Sequence, residues 1–495
     1  MNITDASLFN FLCEYRKCKD NYAISQGYRK ITFVKFEKSV KDLASRFVQA
    51  GIKKGDVIAI SLPNIIQNVV AVYASSIIGA VVYELHPKIG VEHFQNEIKL
   101  VKPKMVLLSE INYGKLKNYA MNTKIVYCPY GAYGYIGLTK KKADISNIEV
   151  RGEDRAVIMH SGGTSGAQKT LVLSHAALNN MAYNLLTSLN NKYTGEDTML
   201  TAIPLFHGFG LGVGVHVGLC ANMKVALLPA FTAKKAVNII KKNKSTILIA
   251  IPRLLEKMLK EDGFKDIAPN IKDLFVGGDS IDLTLINRVN NLLTKTRVSV
   301  GYGLSETSSV CVLQRDEFID GSIGKPLINV DILVVDENNK VVQKGEIGEL
   351  LISSKQNMSG YISLDGIDKS CFVNIDNKEY VKTGDLVKED EDNNLFFMGR
   401  AKRLIKISGI NVFPTEIERV VKESGIVSDC VAFRDELDSK VIISLATEKE
   451  LSQKERETIQ SIVRDKLSKW SVPTKFVKVD NISTTELGKT NYSKL

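Results

Sequence analysis

The stretch FEKSVKDLASRFVQAGIKKGDVIAISLPNIIQNVVAVYASSIIGAVVYEL, residues 36–85, decides the fold class. Residues 36–50 place Val40, Leu43, Ala44, Phe47 and Val48 at helical spacing, and Gly51 follows where a helix would end. DVIAISL is an apolar run of strand length, NVVAVYASSIIGA reads as an apolar helix, and VVYEL as a second strand. Strands and helices that alternate at this interval imply a doubly wound α/β architecture. The same alternation returns at STILIAI (245–251), DLFVGG (273–278) and RVSVGYG (297–303).

The texture changes after residue 320. VDILVVDENNKVVQKGEIGELLIS (330–353) and LVKEDEDNNLFFMGR (386–400) join β-rich runs through Asp/Asn turns, so a small β-subdomain is expected near 323–398. From about residue 403, PTEIERVVKES, KVIISLAT and ERETIQSIVRDKLS make a separate α+β pattern. The expected division is a large domain over 1–399, a hinge at 400–403 within GRAKR, and a small mobile C-terminal domain over 404–495. A chain of 495 residues exceeds what one core usually organises.

Bulk properties exclude several classes. The net charge of +11 is spread along the chain without a basic tract, which argues for a solvated surface and against nucleic-acid binding. Seven cysteines (13, 18, 128, 220, 311, 371, 430) form no CxxC pair and no even framework, as expected for reduced thiols. No apolar run approaches a membrane span, and the first residues carry no leader pattern, so a cytoplasmic enzyme is expected.

Four short stretches carry chemistry. HSGGTSGAQKT (160–170) follows the strand DRAVIMH and precedes LVLSHAALNNMAYNLL, which reads as a helix. Its glycines Gly162, Gly163 and Gly166 free the backbone to wrap anionic oxygens, Ser161, Thr164 and Ser165 offer hydroxyls, and Lys169 offers charge. In a P-loop the lysine directly follows a glycine, whereas Ala167 and Gln168 intervene here. GYGLSET (301–307) ends a strand with Tyr302, able to stack on a base, and Glu306, a hard-oxygen ligand for Mg²⁺. VKTGDLV (381–387) offers Asp385, whose two oxygens suit two ribose hydroxyls, and TTELGKTNYSKL (484–495) ends the chain with Lys489 after a glycine. Taken singly, the loop is equally a tight turn, Glu306 a surface acid and Lys489 a solvated terminus.

Together, in this order across about 330 residues, the four stretches resemble the adenylate-forming superfamily of acyl-CoA synthetases, peptide-synthetase adenylation domains and beetle luciferases. The resemblance runs from RKITFVKFEKS (29–39) to the last residue. It implies ATP-dependent activation of a carboxylic acid to acyl-AMP with release of pyrophosphate, then thioester formation with CoA. By position, 161–169 match the phosphate loop, including Ser161, Gly162, Gly163, Thr164, Ser165, Gly166 and Lys169. Thr164 and Glu306 match the Mg²⁺ ligands, and Tyr302 with Gly303 the adenine site. Asp385 and Arg400 match the ribose contacts, Lys489 the lysine that bridges carboxylate and phosphate, Lys402 the hinge, and Lys406 to Gly409 the segment that faces the adenylate in thioester formation. Gln168, Thr170, Ser483 and Tyr492 depart from the usual proline, glycine, proline and arginine.

IPLFHGFGLGVGVHVGL (203–219) matches the acyl-pocket segment. It lacks the aspartate that pairs with a substrate ammonium, which excludes an α-amino acid on this resemblance. His207 matches a gate residue, though a lone histidine is equally a satisfied core residue. The glycines, Gly212 among them, either open an acyl tunnel or allow close helix packing. FVGGDSIDLTLI (275–286) mimics a carrier-protein attachment site, but Gly277 and Gly278 are better read as pocket wall. Rival readings are a ligase that loads a separate phosphopantetheinyl carrier protein, a kinase or ATPase using the glycine loop, and a degenerate nucleotide-binding scaffold.

Overall fold

A computed structural model describes residues 3–483 except 18–20, 121–122, 131–133, 163–168, 282, 316, 364, 408–409 and 438–439, and backbone alone at 436–437 and 440–442. The helix at the start of the quoted stretch runs Phe33–Gln49, three residues earlier than its apolar spacing suggests. Thr32 caps it by accepting the Lys35 N–H, and Phe33 and Phe36 extend the buried stripe of Val40, Leu43, Ala44 and Phe47. Val48 is half-buried, and Gly51 has φ +92°, the left-handed conformation that suits the residue after a helix. Helix Ile66–Ile77 is buried along almost its whole surface, its polar Gln67, Asn68, Ser75 and Ser76 included.

Two large sheets result. In the first, Val57–Ser61 lies between Val81–Glu84 and Met105–Leu108, flanked by Lys124–Tyr127 and Arg155–His160, all parallel. The second has fourteen strands. Its parallel run joins Arg297–Leu304, Asp273–Gly277, Ile247–Ala250, Thr198–Thr201, Lys224–Leu227 and Tyr22–Gln26 in that spatial order. This is the expected doubly wound α/β arrangement, with helices filling the faces. Among the β-rich residues after 320, Asp331–Val335, Ile347–Ser353, Lys378–Glu389 and Leu395–Arg400 pair in one antiparallel run. Ser322–Pro326 pairs with both Ser309–Gln314 and Leu395–Arg400, so the hairpins continue the large sheet. The Asp/Asn turns are present: Asp336 accepts the Asn338 and Lys340 N–H groups, and Asp390 accepts that of Asn394.

One expectation is corrected. Residues 170–174 are not the start of a helix but a strand, Thr170–Ser174, antiparallel to Arg155–His160, and the helix begins only at His175. Thr170, Leu171, Val172 and Leu173 are all buried, and Ser174 caps the helix through Ala177 N–H. The glycine loop is therefore the loop of a β-hairpin.

The C-terminal residues pack as a unit with their own core, in which Ile405, Ile417, Val421, Leu445, Ile459 and Val463 meet. Helices Pro414–Glu423 and Gln453–Lys466 cover a three-stranded sheet of Cys430–Leu437, Lys440–Thr447 and Lys475–Lys478. Cys128, Cys220, Cys311 and Cys430 are buried and unbridged. Among the described residues no helix is long and apolar enough to cross a membrane.

The amino-terminal residues are held by two neutral histidines. His216 bonds Tyr73 OH at 2.9 Å and Asn179 Oδ1 at 3.1 Å, and Asn179 donates to the carbonyls of Thr4 and Ala6. His175 accepts the Leu8 N–H at 3.4 Å. Burial, reinforced for His216 by His175, pushes their pKa values down to about 4 for His175 and about 3 for His216. Their stabilisation is complete above the unfolded value of 6.5 and is lost as pH falls toward these folded values. Buried Glu84 acts in the opposite sense, since burial raises its pKa from 4.5 to about 8 and unfolding then releases its proton. Near pH 5.5 these groups together take up about one proton on unfolding, a slope of about 1.4 kcal/mol per pH unit. Glu84→Gln should steepen the fall of stability between pH 5 and 6 by a further increment of about that size, measured by urea unfolding against wild type.

Candidate active site

A cleft of about 170 Å³ opens where the ends of both large sheets approach each other. Its walls come from the hairpin loop (Ser161, Gly162), from His207 to Phe209, from Gly277 and Gly278, from residues 301–310, and from Thr383 and Arg400. Most of the sequence-selected stretches therefore converge, although up to 239 residues separate them in the chain.

The glycine loop is pinched at its base. Ser161 N–H donates to the Lys169 carbonyl at 2.7 Å, and Lys169 N–H donates to Ser161 Oγ at 3.1 Å. Lys169 Nζ lies 4.4 Å from the centre of the Tyr361 ring, a cation–π contact. Tyr361 in turn donates its hydroxyl to Glu306 Oε1 at 2.8 Å. Burial, then the Glu306 charge, raise the Tyr361 pKa, so the phenol remains a donor. Lys169, Tyr361 and Glu306 thus make one polar wall. Gly163, Thr164, Ser165, Gly166 and Gln168 lie outside the described residues.

The opposite wall centres on Asp385, 1% exposed. Tyr302 OH donates to its Oδ2 at 2.6 Å, and Arg400 Nε lies 2.9 Å from its Oδ1. Asp385 and Arg400 face each other on neighbouring strands, and Arg400 also donates to the Thr383 carbonyl at 3.1 Å. Burial, then the Asp385 charge, hold the Tyr302 pKa well above its ordinary value.

The glycines of this wall are needed for close approach. A Cβ on Gly303 would stand 1.6 Å from the Ser309 carbonyl oxygen, and one on Gly277 2.9 Å from that of Gly301. Gly278 has φ +85°. Gly208 and His207 face the cleft, with the His207 ring 4.5 Å from that of Phe206. Gly212 is placed differently from expectation: it lies outside the cleft lining, and its Cβ position is 2.7 Å from Met181 Cε and 3.3 Å from the Ser308 carbonyl. For Gly212, packing is the reading the geometry favours.

Lys402 is exposed in the turn Ala401–Arg403, which leads from the strand ending at Arg400 toward the C-terminal unit. Lys406 is exposed on the hairpin beyond it, 3.7 Å from Glu337 and outside the cleft lining. Lys489, Gly409 and Tyr492 lie outside the described residues. Tyr361 and Thr383 are site residues that sequence reasoning passed over. Thr383 stands inside the quoted VKTGDLV, while Tyr361 has no motif and reaches the site only because its strand pairs with Thr170–Ser174.

The model of the AMP-binding enzyme family matches residues 14–362. The chain is 28% identical to the 2-succinylbenzoate–CoA ligase of Bacillus licheniformis over 96% of each chain. It is 25% identical to 4-coumarate–CoA ligase 2 of Nicotiana tabacum over 96% of this chain and 90% of that one. Its fold matches the O-succinylbenzoate coenzyme A synthetase of Bacillus subtilis, solved in complex with ATP and magnesium ion, with TM-score 0.84 and 23% identity, covering 99% of each chain.

Arg400→Ala should strand the buried Asp385 charge and cost about 2 kcal/mol, the lower part of the range because Arg400 keeps 31% of its side chain in water. In a double-mutant cycle with Asp385→Asn, followed by urea unfolding, the double mutant should lose less stability than the sum of the two single losses.

Proposed function

The chain belongs to the AMP-binding enzyme family and is an AMP-forming acid–thiol ligase; on that premise we propose that it joins an acyl or aryl carboxylate to AMP and passes the acyl group to CoA. The observation that carries this reading is a cleft lined by Ser161, Gly162, His207, Glu306 and Arg400, with Asp385 paired to Arg400 and Tyr302 behind that lining.

The proposed reaction has two steps. A carboxylate oxygen attacks the α-phosphorus of ATP, the bond to the bridging oxygen breaks, and pyrophosphate leaves with that electron pair. The thiol sulfur of CoA, its proton lost to solvent, then attacks the acyl carbonyl carbon and AMP leaves. Both reactants of the first step are anionic, so positioning and charge neutralisation are what the protein must supply. Arg400 and Tyr302 orient Asp385, whose carboxylate would accept the ribose hydroxyls, and the Tyr302 ring would cover the adenine. The loop 161–169, with Lys169 held over Tyr361, would grip the outer phosphates.

Glu306, half-buried at the cleft with one oxygen occupied by Tyr361, has the hard-oxygen chemistry that Mg²⁺ takes, with Thr164 as its partner. Mg²⁺ there would offset phosphate charge. Lys489 would bridge carboxylate and phosphate in the first step. Lys402 would be the pivot of a hinge at 400–403 between domains 1–399 and 404–495, by which Lys406 reaches the cleft for the second step.

The absence of an acid from 203–219 supports an acid without an α-ammonium group, and His207 and Phe209 would border the acyl group. Relatives that are CoA ligases favour CoA over a carrier protein as acceptor.

A panel of carboxylic acids should release pyrophosphate with one acyl or aryl class and no amino acid; ADP as product would instead point to phosphoryl transfer. With that acid, Lys489→Ala should lower carboxylate-dependent pyrophosphate exchange by roughly 10²- to 10³-fold. Transfer from supplied acyl-AMP to CoA should be largely kept, and equal loss of both half-reactions would remove the two-state assignment.

A further inference from the structure

Helix Val91–Val101 and strand Arg155–His160 bring together three ligand-type side chains that the cleft chemistry does not use. His93 and Glu97 stand one turn apart on the same helix face, Nε2 to Oε1 3.5 Å. His160 ends the strand and places its Nε2 3.2 Å from the same Oε1. The ligand atoms of all three lie within 4.8 Å of one another. Glu97 is buried, His160 largely so, and His93 is half-exposed, which leaves one side open to water.

We propose that His93, Glu97 and His160 form a binding site for a zinc-class divalent transition ion, tying this helix to the residue from which the loop 161–169 departs. Zinc bonds to imidazole nitrogen and carboxylate oxygen are about 2.0–2.1 Å, so donors at the corners of its tetrahedron stand about 3.3 Å apart. The separations of 3.2 and 3.5 Å from Glu97 Oε1 to the two histidines match that edge. Two imidazoles and one carboxylate select against Mg²⁺, which takes oxygen ligands in an octahedron, and suit zinc with water in the fourth place.

Tyr83 completes the arrangement from outside. Its hydroxyl donates to Glu97 Oε2, which turns Oε1 toward both rings, and it also lies 3.1 Å from His160 Nε2, a contact that a bound ion would replace. A hydrogen-bond network serving a buried carboxylate would account for Tyr83, Glu97 and His160. It does not call for His93, whose ring has solvent available yet turns to the same oxygen and lies 5.9 Å from the His160 ring.

The test uses full-length enzyme stripped with a chelator, with excess Mg²⁺ and no ATP, titrated with Zn²⁺ alone against a chromogenic competitor. One equivalent should bind, Co²⁺ should give the visible absorption of a tetrahedral site, and His93→Ala should weaken binding by roughly ten-fold or more. Tyr83→Phe, which keeps the ring, should weaken it by about ten-fold through the second shell. Pyrophosphate release by the stripped His93→Ala enzyme should equal that of stripped wild type, which separates this site from the proposed reaction. Unchanged Zn²⁺ affinity in His93→Ala, as binding to cysteines would give, or no stoichiometric binding to wild type, would overturn the proposal.

Discussion

A carboxylate that is 1% exposed cannot stay charged without partners, and Asp385 obtains two, each from a different part of the chain. Tyr302 arrives on the last parallel strand of the large sheet, Arg400 on the strand that leads out of the β-rich region. The pair of contacts therefore fastens the α/β core to the β-hairpins at one atom group. Arg400 is also the residue directly before the turn Ala401–Arg403, so the chain enters its C-terminal unit from an anchored point. Beyond that turn Arg403 grips Glu418, 7% exposed, and the Ala432 carbonyl. Two fixed arginines thus bracket the exposed Lys402.

The two sides of the cleft solve different electrostatic problems. On the Asp385 side a negative charge is buried and fully paired, which fixes geometry. On the loop side the Lys169 cation rests on an aromatic face, and the nearby Glu306 is engaged by a phenol. A ring face attracts a cation without cancelling it, so positive potential persists where phosphate would lie. The same tyrosine therefore places both a cation and an acid, which explains why a residue without any motif belongs to the site.

The α/β alternation is legible from sequence because helix Phe33–Gln49 and strand Val57–Ser61 bury their apolar residues at the periods that identify them. Thr170–Ser174 misleads because four buried residues ahead of a capped helix look like its first turn, and only pairing with Arg155–His160 makes them a strand. The β-rich residues look like a separate subdomain since sequence carries no trace of which edge a strand joins. At the site, Asp385 and Arg400 are legible through family spacing. Tyr361 is not, because its neighbours Lys169 and Glu306 are distant in sequence and set by strand register.

The wide-turned π-helix Phe209–Val217 sets how the pocket can change over evolution or by design. A methyl group on Gly210 would stand 2.1 Å from the Pro204 carbonyl oxygen, one on Gly212 2.7 Å from Met181, and one on Gly214 2.7 Å from Thr201. Gly208, on the cleft wall, would meet nothing nearer than 3.6 Å. Of these four glycines, only Gly208 can gain bulk without disturbing the frame. Bulk can therefore be added on the cleft side at Gly208, just ahead of this helix, where Gly210 and Gly214 leave no room for it.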